Sequence, residues 1–267
     1  MTKRAGFLAY ATANDRLGYV LDAKNVRRLV SLNPAAEPID ICLAVSEVTP
    51  RSKLDVRWYR TLADEFERGG RFRVIDVIFK TNIGRDFSSW KVCLEKIARV
   101  AQPDEFVLML NRSASGPMLA NWYTLYTEPF VRYPDLGICG SSINFEFKAH
   151  VQTYAWMTRM GIIERLMEDF PGERARTRRE AIFNGEIELS QRLIARGYRI
   201  AALAWPDELF GAARMHEPQF PQFDLSADLE DVPFRHWNKS EISSARLDAG
   251  LHLARMWMRI SGRFGSC

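Results

Sequence analysis

Two hydrophobic periods take turns along the first 110 residues, and this alternation restricts the fold more than any other feature of the chain. Residues 7–11, 39–45 and 73–79 are short runs dominated by apolar side chains. Residues 20–32, 56–66 and 87–100 place apolar side chains three and four apart, the spacing of an amphipathic helix. Gly69-Gly70 stops the second of these helices. Residues 106–110 form an unbroken apolar run, as a central parallel strand covered on both faces requires. Strand and helix in strict turn predict an α/β fold, with a Rossmann-like, mostly parallel central sheet and helices on both faces. Ligands of such sheets lie at the carboxyl ends of the strands, near the point where strand order reverses. The polar clusters 82–86 and 111–113 follow strands directly and fall at that place.

The second half is less regular. Strands are expected at 136–141, 150–157 and 198–204, and helices at 164–169 and 187–195, with Gly197 as the stop of the latter. The basic run 174–179 is expected to be a loop, as is the Pro- and Asp-rich stretch 218–233. Residues 245–260 read as a basic amphipathic helix bearing Trp257. We therefore expect a ligand-binding domain over 1–210, with 211–267 as a C-terminal loop and helical appendage packed on it.

Composition narrows the function by exclusion. A net charge of +4, from 37 basic and 33 acidic residues, is too small an excess to argue for nucleic acid. The four cysteines are far apart and offer no zinc spacing, and Cys42 and Cys139 sit in apolar runs as core residues do. A reducing, cytoplasmic setting is the simpler expectation. Lys3-Arg4 before a short apolar run imitates a signal peptide, but Gly6, Tyr10 and Thr12 interrupt it and a first strand is expected there. Walker, dinucleotide-fingerprint and Gly-x-Ser-x-Gly patterns are missing, so no organic cofactor is expected.

The stretch Gly185-Glu186-Ile187-Glu188-Leu189-Ser190 through Gly197-Tyr198-Arg199-Ile200 resembles the acidic helix of inverting GT-A glycosyltransferases. Taken with Asn82-Ile83-Gly84-Arg85-Asp86, Asn111-Arg112-Ser113 and His150-Val151-Gln152-Thr153-Tyr154 in that order, it resembles the rhamnan synthesis protein F type of polysaccharide glycosyltransferase over residues 6–205. The resemblance implies a GT-A-like fold, a nucleotide-diphosphate sugar donor such as a UDP- or dTDP-sugar, and a glycan or lipid-linked glycan acceptor at the inner face of the membrane.

It also implies site residues. Glu186 falls on the family's general base, and Gly185 replaces the first acid of the family pair. A carboxylate in the first turn of a helix would be held as the anion by the helix dipole, which gives Glu186 an independent argument and a competing one, since capping acids are common there. Asn82, Arg85, Asp86, Asn111, Arg112 and Ser113 fall on the donor side, and His150, Gln152 and Glu188 on the acceptor side. Asp86 also reads as a helix N-cap, and Asn82 and Gly84 read as shapers of the turn. His216 and His236 sit where GT-A enzymes bring a late residue back to the donor phosphate. The turn after the fourth strand departs from the family: Arg112 stands where a metal-holding carboxylate is usual. Mg²⁺ or Mn²⁺ then lacks its ordinary carboxylate ligand at this turn, and Arg112 is expected to take over the diphosphate charge; the competing reading is a metal held elsewhere, by Asp86 or His216. The rival reading is a non-catalytic glycan- or nucleotide-binding relative.

Overall fold

The computed structural model describes residues 4–32, 37–212 and 232–243. The expected helix at 245–260, most of the loop at 218–233, and His216 and Cys267 lie outside these residues.

The first half follows the alternation closely. Strands β1 (Gly6–Ala13), β2 (Ile39–Glu47), β3 (Phe72–Thr81) and β4 (Phe106–Asn111) are separated by helices α1 (Arg16–Ser31), α2 (Lys53–Glu67) and α3 (Arg85–Ile97). After β4 come a two-residue strand β5 (Ala114–Ser115), helix α4 (Trp122–Arg132), β6 (Leu136–Gly140), β7 (Ile143–Asn144), β8 (His150–Val151) and β9 (Ala155–Arg159). A helical turn α5 (Met160–Ile163) leads into a 3-10 turn at Glu164–Asp169. The continuous helix that follows begins as α6 (Arg178–Ala181), widens to a π-helical turn at Ile182–Ile187 and resumes as α7 (Glu188–Ala195). Strands β10 (Arg199–Ala202), β11 (Trp205–Phe210) and β12 (Arg235–His236) complete the described elements.

The main sheet runs β11-β10-β6-β9-β4-β1-β2-β3. Strands β3, β2, β1 and β4 are mutually parallel, β9 runs against both β4 and β6, and β11 runs against β10. Order reverses at the β1–β4 pair, since the chain steps outward from β1 to β2 and β3 and then returns to β4 on the opposite side. In an open α/β sheet this is where a ligand crevice opens.

Alternate residues of the central strands feed two separate cores, as the two-residue period of a strand dictates. Phe7, Ala9, Ala11, Val107 and Met109 face Trp90, Leu94 and Ile97 of α3 and Leu189 and Leu193 of α7. Leu8, Tyr10, Leu108 and Leu110 face the other way, onto Val26 and Leu29 of α1, Tyr59 and Phe66 of α2, and Trp122, Tyr126 and Phe130 of α4. Every residue of β1 is buried, as expected of a first strand at this position. Cys42 and Cys139 are buried free thiols, as expected of core residues, and so is Cys93.

Several expectations need correction. Residues 150–157 are not one strand. β8 pairs with β7, and the backbone then bends through Gln152–Tyr154 before β9 joins the sheet. The bend is held by the Gln152 amide donating to the Ser142 carbonyl and the Asn111 amide to the Tyr154 carbonyl. The basic run 174–179 is not wholly a loop, because Thr177 caps α6 by accepting from the Glu180 amide. β11 was missed: it is an antiparallel edge strand carrying Asp207 and Glu208, charged as solvent-facing edges tend to be. Among the described residues no helix is long and apolar enough to cross a membrane.

Candidate active site

A cleft of about 360 Å³ opens at the carboxyl ends of β3 and β4. Its floor comes from the first half of the chain: Arg85, Asp86 and Phe87 at the start of α3, and Asn111 and Ser113 after β4. Its far wall comes from the second half: Asn144, Glu146 and Phe147 before β8, the bend at His150 and Gln152–Tyr154, and Arg178, Ile182 and Glu186 on the α6–α7 helix. His236 closes one side.

Asp86 does not cap α3. The cap position belongs to Gly84, at a φ of 77°, and no side chain bonds there. Asp86 instead sits within the first turn and accepts a 2.7 Å hydrogen bond from Asn111 Nδ2. Asn111 Oδ1 accepts from the Ser113 amide, which fixes the orientation of its amide group. Burial pushes the Asp86 carboxyl above the usual range, against the opposing pull of Arg112 and of the Asn111 bond. Arg85 adopts a φ of 48°, a left-handed conformation that costs a non-glycine residue of order 1–3 kcal/mol. The strain turns its side chain toward the cleft, where no other described residue bonds its guanidinium.

Glu186 is not in a first turn. It lies inside the π-helical turn, eight residues past the start of α6, so the helix dipole argument for its charge fails. The opposite effect operates. Burial, with help from nearby Asp86, raises the carboxyl to about 7, while a hydrogen bond from Thr153 and the charge of Arg178 pull it down. Glu186 Oε2 lies 3.9 Å from His150 Nε2. His150 Nδ1 is 2.7 Å from the Lys148 carbonyl, and a carbonyl only accepts, so Nδ1 carries the hydrogen and Nε2 presents its lone pair to Glu186. Burial lowers the His150 pKa, so the ring is neutral at pH 7 and the pair is not an ion pair. A carboxyl poised near 7 in a cleft is a physical mark of a proton-transfer group, and single π turns recur at functional sites.

The glycine at 185 has a steric cause. A Cβ there would lie 2.4 Å from the Phe87 ring, which also packs on Gly172. A larger side chain, an acid included, therefore has no room at this position. Gly185→Ala is expected to cost about 1–3 kcal/mol through this overlap, read as a lowered melting temperature. The loss should shrink when Phe87→Leu is added, because two residues in contact do not act additively. Equal losses in the single and double variants would contradict the packing account.

Arg112 does not line the cleft. Its guanidinium donates to Asp15 Oδ2 at 2.6 Å and to the Ala13 carbonyl at 3.3 Å, and it feels the charges of Asp22 and Asp86. It sits among three acidic side chains, Asp15 just after β1, Asp22 on α1 and Asp86 on α3. Asp22 itself is buried, raised to about 6 by desolvation, and accepts from Thr12 at 2.6 Å and Tyr10 at 2.9 Å. These residues do not fit a divalent cation: Asp86 is engaged by an amide, and the Arg112 guanidinium already supplies positive charge to Asp15, Asp22 and Asp86. Among the described residues no cluster of three His, Cys, Asp or Glu side chains could hold a metal.

The other expected residues divide cleanly. Ser113, His150 and Gln152 line the cleft. Asn82 is exposed, and its carbonyl accepts from the Arg85 amide, so it shapes the turn outside the cleft. Glu188 points away, paired at 2.7 Å with Arg192, which also holds Asp169 at 2.9 Å. His236 reaches the site because β12 pairs with β5, placing its ring 4.1 Å from that of Tyr154. Sequence reasoning missed Thr153, Tyr154, Phe147 and Arg178 as site residues. The first two lie inside a quoted motif and were hidden by reading it as one straight strand.

No family model and no curated protein matches the chain. Solved structures do. The chain is similar to the galactosyltransferase LgtC in complex with donor and acceptor sugar analogs, at 13% identity and a TM-score of 0.46, over 91% of this chain and 95% of that one. It is similar to the bifunctional glycosyltransferase WbbM at 8% identity and a TM-score of 0.39, over 63% of this chain and 34% of that one. Mouse xyloside xylosyltransferase 1 matches at 10% identity and a TM-score of 0.36, over 62% and 71% of the two chains. The chemistry of this chain is read from the residues described above.

Proposed function

We propose that this chain is a glycosyltransferase that moves a sugar from a nucleotide-diphosphate sugar to a glycan acceptor, with inversion at the anomeric carbon. The observation that carries the reading is Glu186. It is a carboxyl raised to about 7, in a cleft at the strand ends beside the β1–β4 reversal, with a neutral histidine behind it. In the proposed step the Glu186 carboxylate takes the proton of an acceptor hydroxyl. The hydroxyl oxygen attacks the anomeric carbon on the face opposite the diphosphate. The bond from that carbon to the phosphate oxygen breaks, and the nucleoside diphosphate leaves with the electron pair. Arg85 and Arg178, both lining the cleft, are the cations available to the departing diphosphate, in place of Arg112. Asp86 and Asn111 hold the donor. A UDP- or dTDP-sugar, an acceptor belonging to a bacterial surface polysaccharide, and work at the inner face of the membrane go with this reading. The motif order and the basic segment 245–260 support them.

A non-catalytic binding relative is the second reading. Gly185 and Arg112, each standing where the resembled enzymes carry an acid, favour it. Thermal unfolding with UDP, dTDP and GDP, with Mn²⁺ or a chelator, tests the first. A selective rise with one diphosphate is expected, about 2.7 kcal/mol at a hundredfold excess over Kd, and unchanged by chelation. Hydrolysis of the matching sugar nucleotide should accompany it. A rise without any turnover would leave the binding relative standing, and no rise with any nucleotide would end the transferase reading.

A further inference from the structure

Phe147 is 66% exposed, the most solvent-open large aromatic among the described residues, and it stands at the mouth of the cleft. A single exposed apolar side chain is ordinary. This one is held in place at a cost. Its φ is 70°, and the Lys148 amide donates to the Glu146 carbonyl across it, which makes Phe147 the centre of a tight, strained three-residue turn. The turn is braced on both sides. Asn144 Oδ1 accepts from the Glu146 amide at 2.6 Å, and the Lys148 carbonyl accepts from His150 Nδ1 at 2.7 Å. The same few residues thus fix the tautomer of His150 and the placement of an exposed ring.

The inner side of that ring is occupied. Phe147 and Phe183 have centroids 4.8 Å apart, and the Arg179 guanidinium lies 5.7 Å from the Phe183 centroid. Phe183 belongs to the π-helical turn that carries Glu186, three residues before it. An aromatic face, rigidly backed and left open beside polar groups, suits a sugar ring. A pyranose buries its axial C–H face on an aromatic and turns its hydroxyls outward, here toward Asn144, Glu146 and Gln152.

We propose that Phe147 is the platform of an acceptor subsite, on which a pyranose ring stacks so that its hydroxyl reaches Glu186. The proposal rests on the transferase reading for the word acceptor, and on the ring's own geometry for the binding of a sugar.

Saturation-transfer NMR with millimolar methyl glycosides of glucose, galactose, mannose and rhamnose tests it on the full chain. Irradiating the aromatic protons should saturate the axial ring protons of at least one glycoside. Phe147→Ala should lower that transfer at least fivefold, and Phe147→Trp should keep it. Equal transfer in Phe147→Ala, or none from the wild-type chain to any glycoside, overturns the platform. Thermal shift with UDP and dTDP on the same samples separates the two ideas. Nucleotide binding without sugar saturation removes the platform and leaves the transferase reading. Saturation lost in Phe147→Ala, without any nucleotide binding, keeps the platform as a sugar site and removes the transferase.

Discussion

Glu186→Gln is expected to slow sugar transfer by about 10²–10⁴-fold, the usual worth of a positioned general base, while leaving the thermal shift by nucleotide diphosphate in place. The wild-type rate should rise with pH through about 7 and then level, since the base form is the carboxylate. The same substitution is expected to stabilise the fold. A carboxyl of 4.5 when unfolded and about 7 when folded keeps its proton in the native state after the unfolded chain has released it. Stability therefore falls as pH rises from about 4.5 to about 7, and the full cost, at most about 3.5 kcal/mol at ~1.4 kcal/mol per pKa unit, is present above that range. Gln carries no such cost. The variant should melt several degrees above the wild type at pH 8, and the gap should close below pH 4.5. A variant that loses activity but melts identically at both pH values would mean that Glu186 is not buried as described.

Arg112→Met should produce the largest loss of stability, about 2–4 kcal/mol at pH 8. Removing one partner of a largely buried ion pair leaves the other uncompensated, and here Asp15 would be left beside Asp22 and Asp86. That is roughly 4–16 °C of melting temperature for a chain of this size. The deficit should narrow at pH 5, because Asp22 and Asp86, released from the guanidinium that lowers them, can then take up protons. Melting curves at the two pH values check this. A deficit independent of pH would show that Arg112 matters for packing rather than for charge.

The parts legible in the sequence are those with a period. The β1 to β4 half was readable because 7–11, 39–45 and 106–110 are apolar runs long enough to register, while Leu62 and Phe66 repeat at four. The cleft floor followed from it, since polar residues directly after parallel strands have few other places to go. The far wall was not readable in the same way. Its residues sit in a bend, a three-residue turn and a π turn, each only a few residues long and with no repeat. Glu186 was singled out from its motif, yet its environment was inverted. The helix expected at 187–195 put Glu186 at a helix start, whereas the start is set by Thr177, in a run of arginines that looked like a loop. Arg112 was expected to face the diphosphate because the family carries its charge at that turn. Nothing local revealed that Asp15, ninety-seven residues earlier, claims it first.

The pairing of β12 with β5 has a consequence for how this protein comes into being. Domains tend to consolidate from the amino end during synthesis, and the main sheet, the Glu186 turn and both cores except for Phe234 are encoded before residue 211. The wall bearing His236, and the Trp237 indole that donates to the Arg112 carbonyl, leave the ribosome after all of these. A nascent chain can thus hold most of its scaffold with an unfinished mouth, and the cleft gains its His236 wall only once synthesis has passed residue 237.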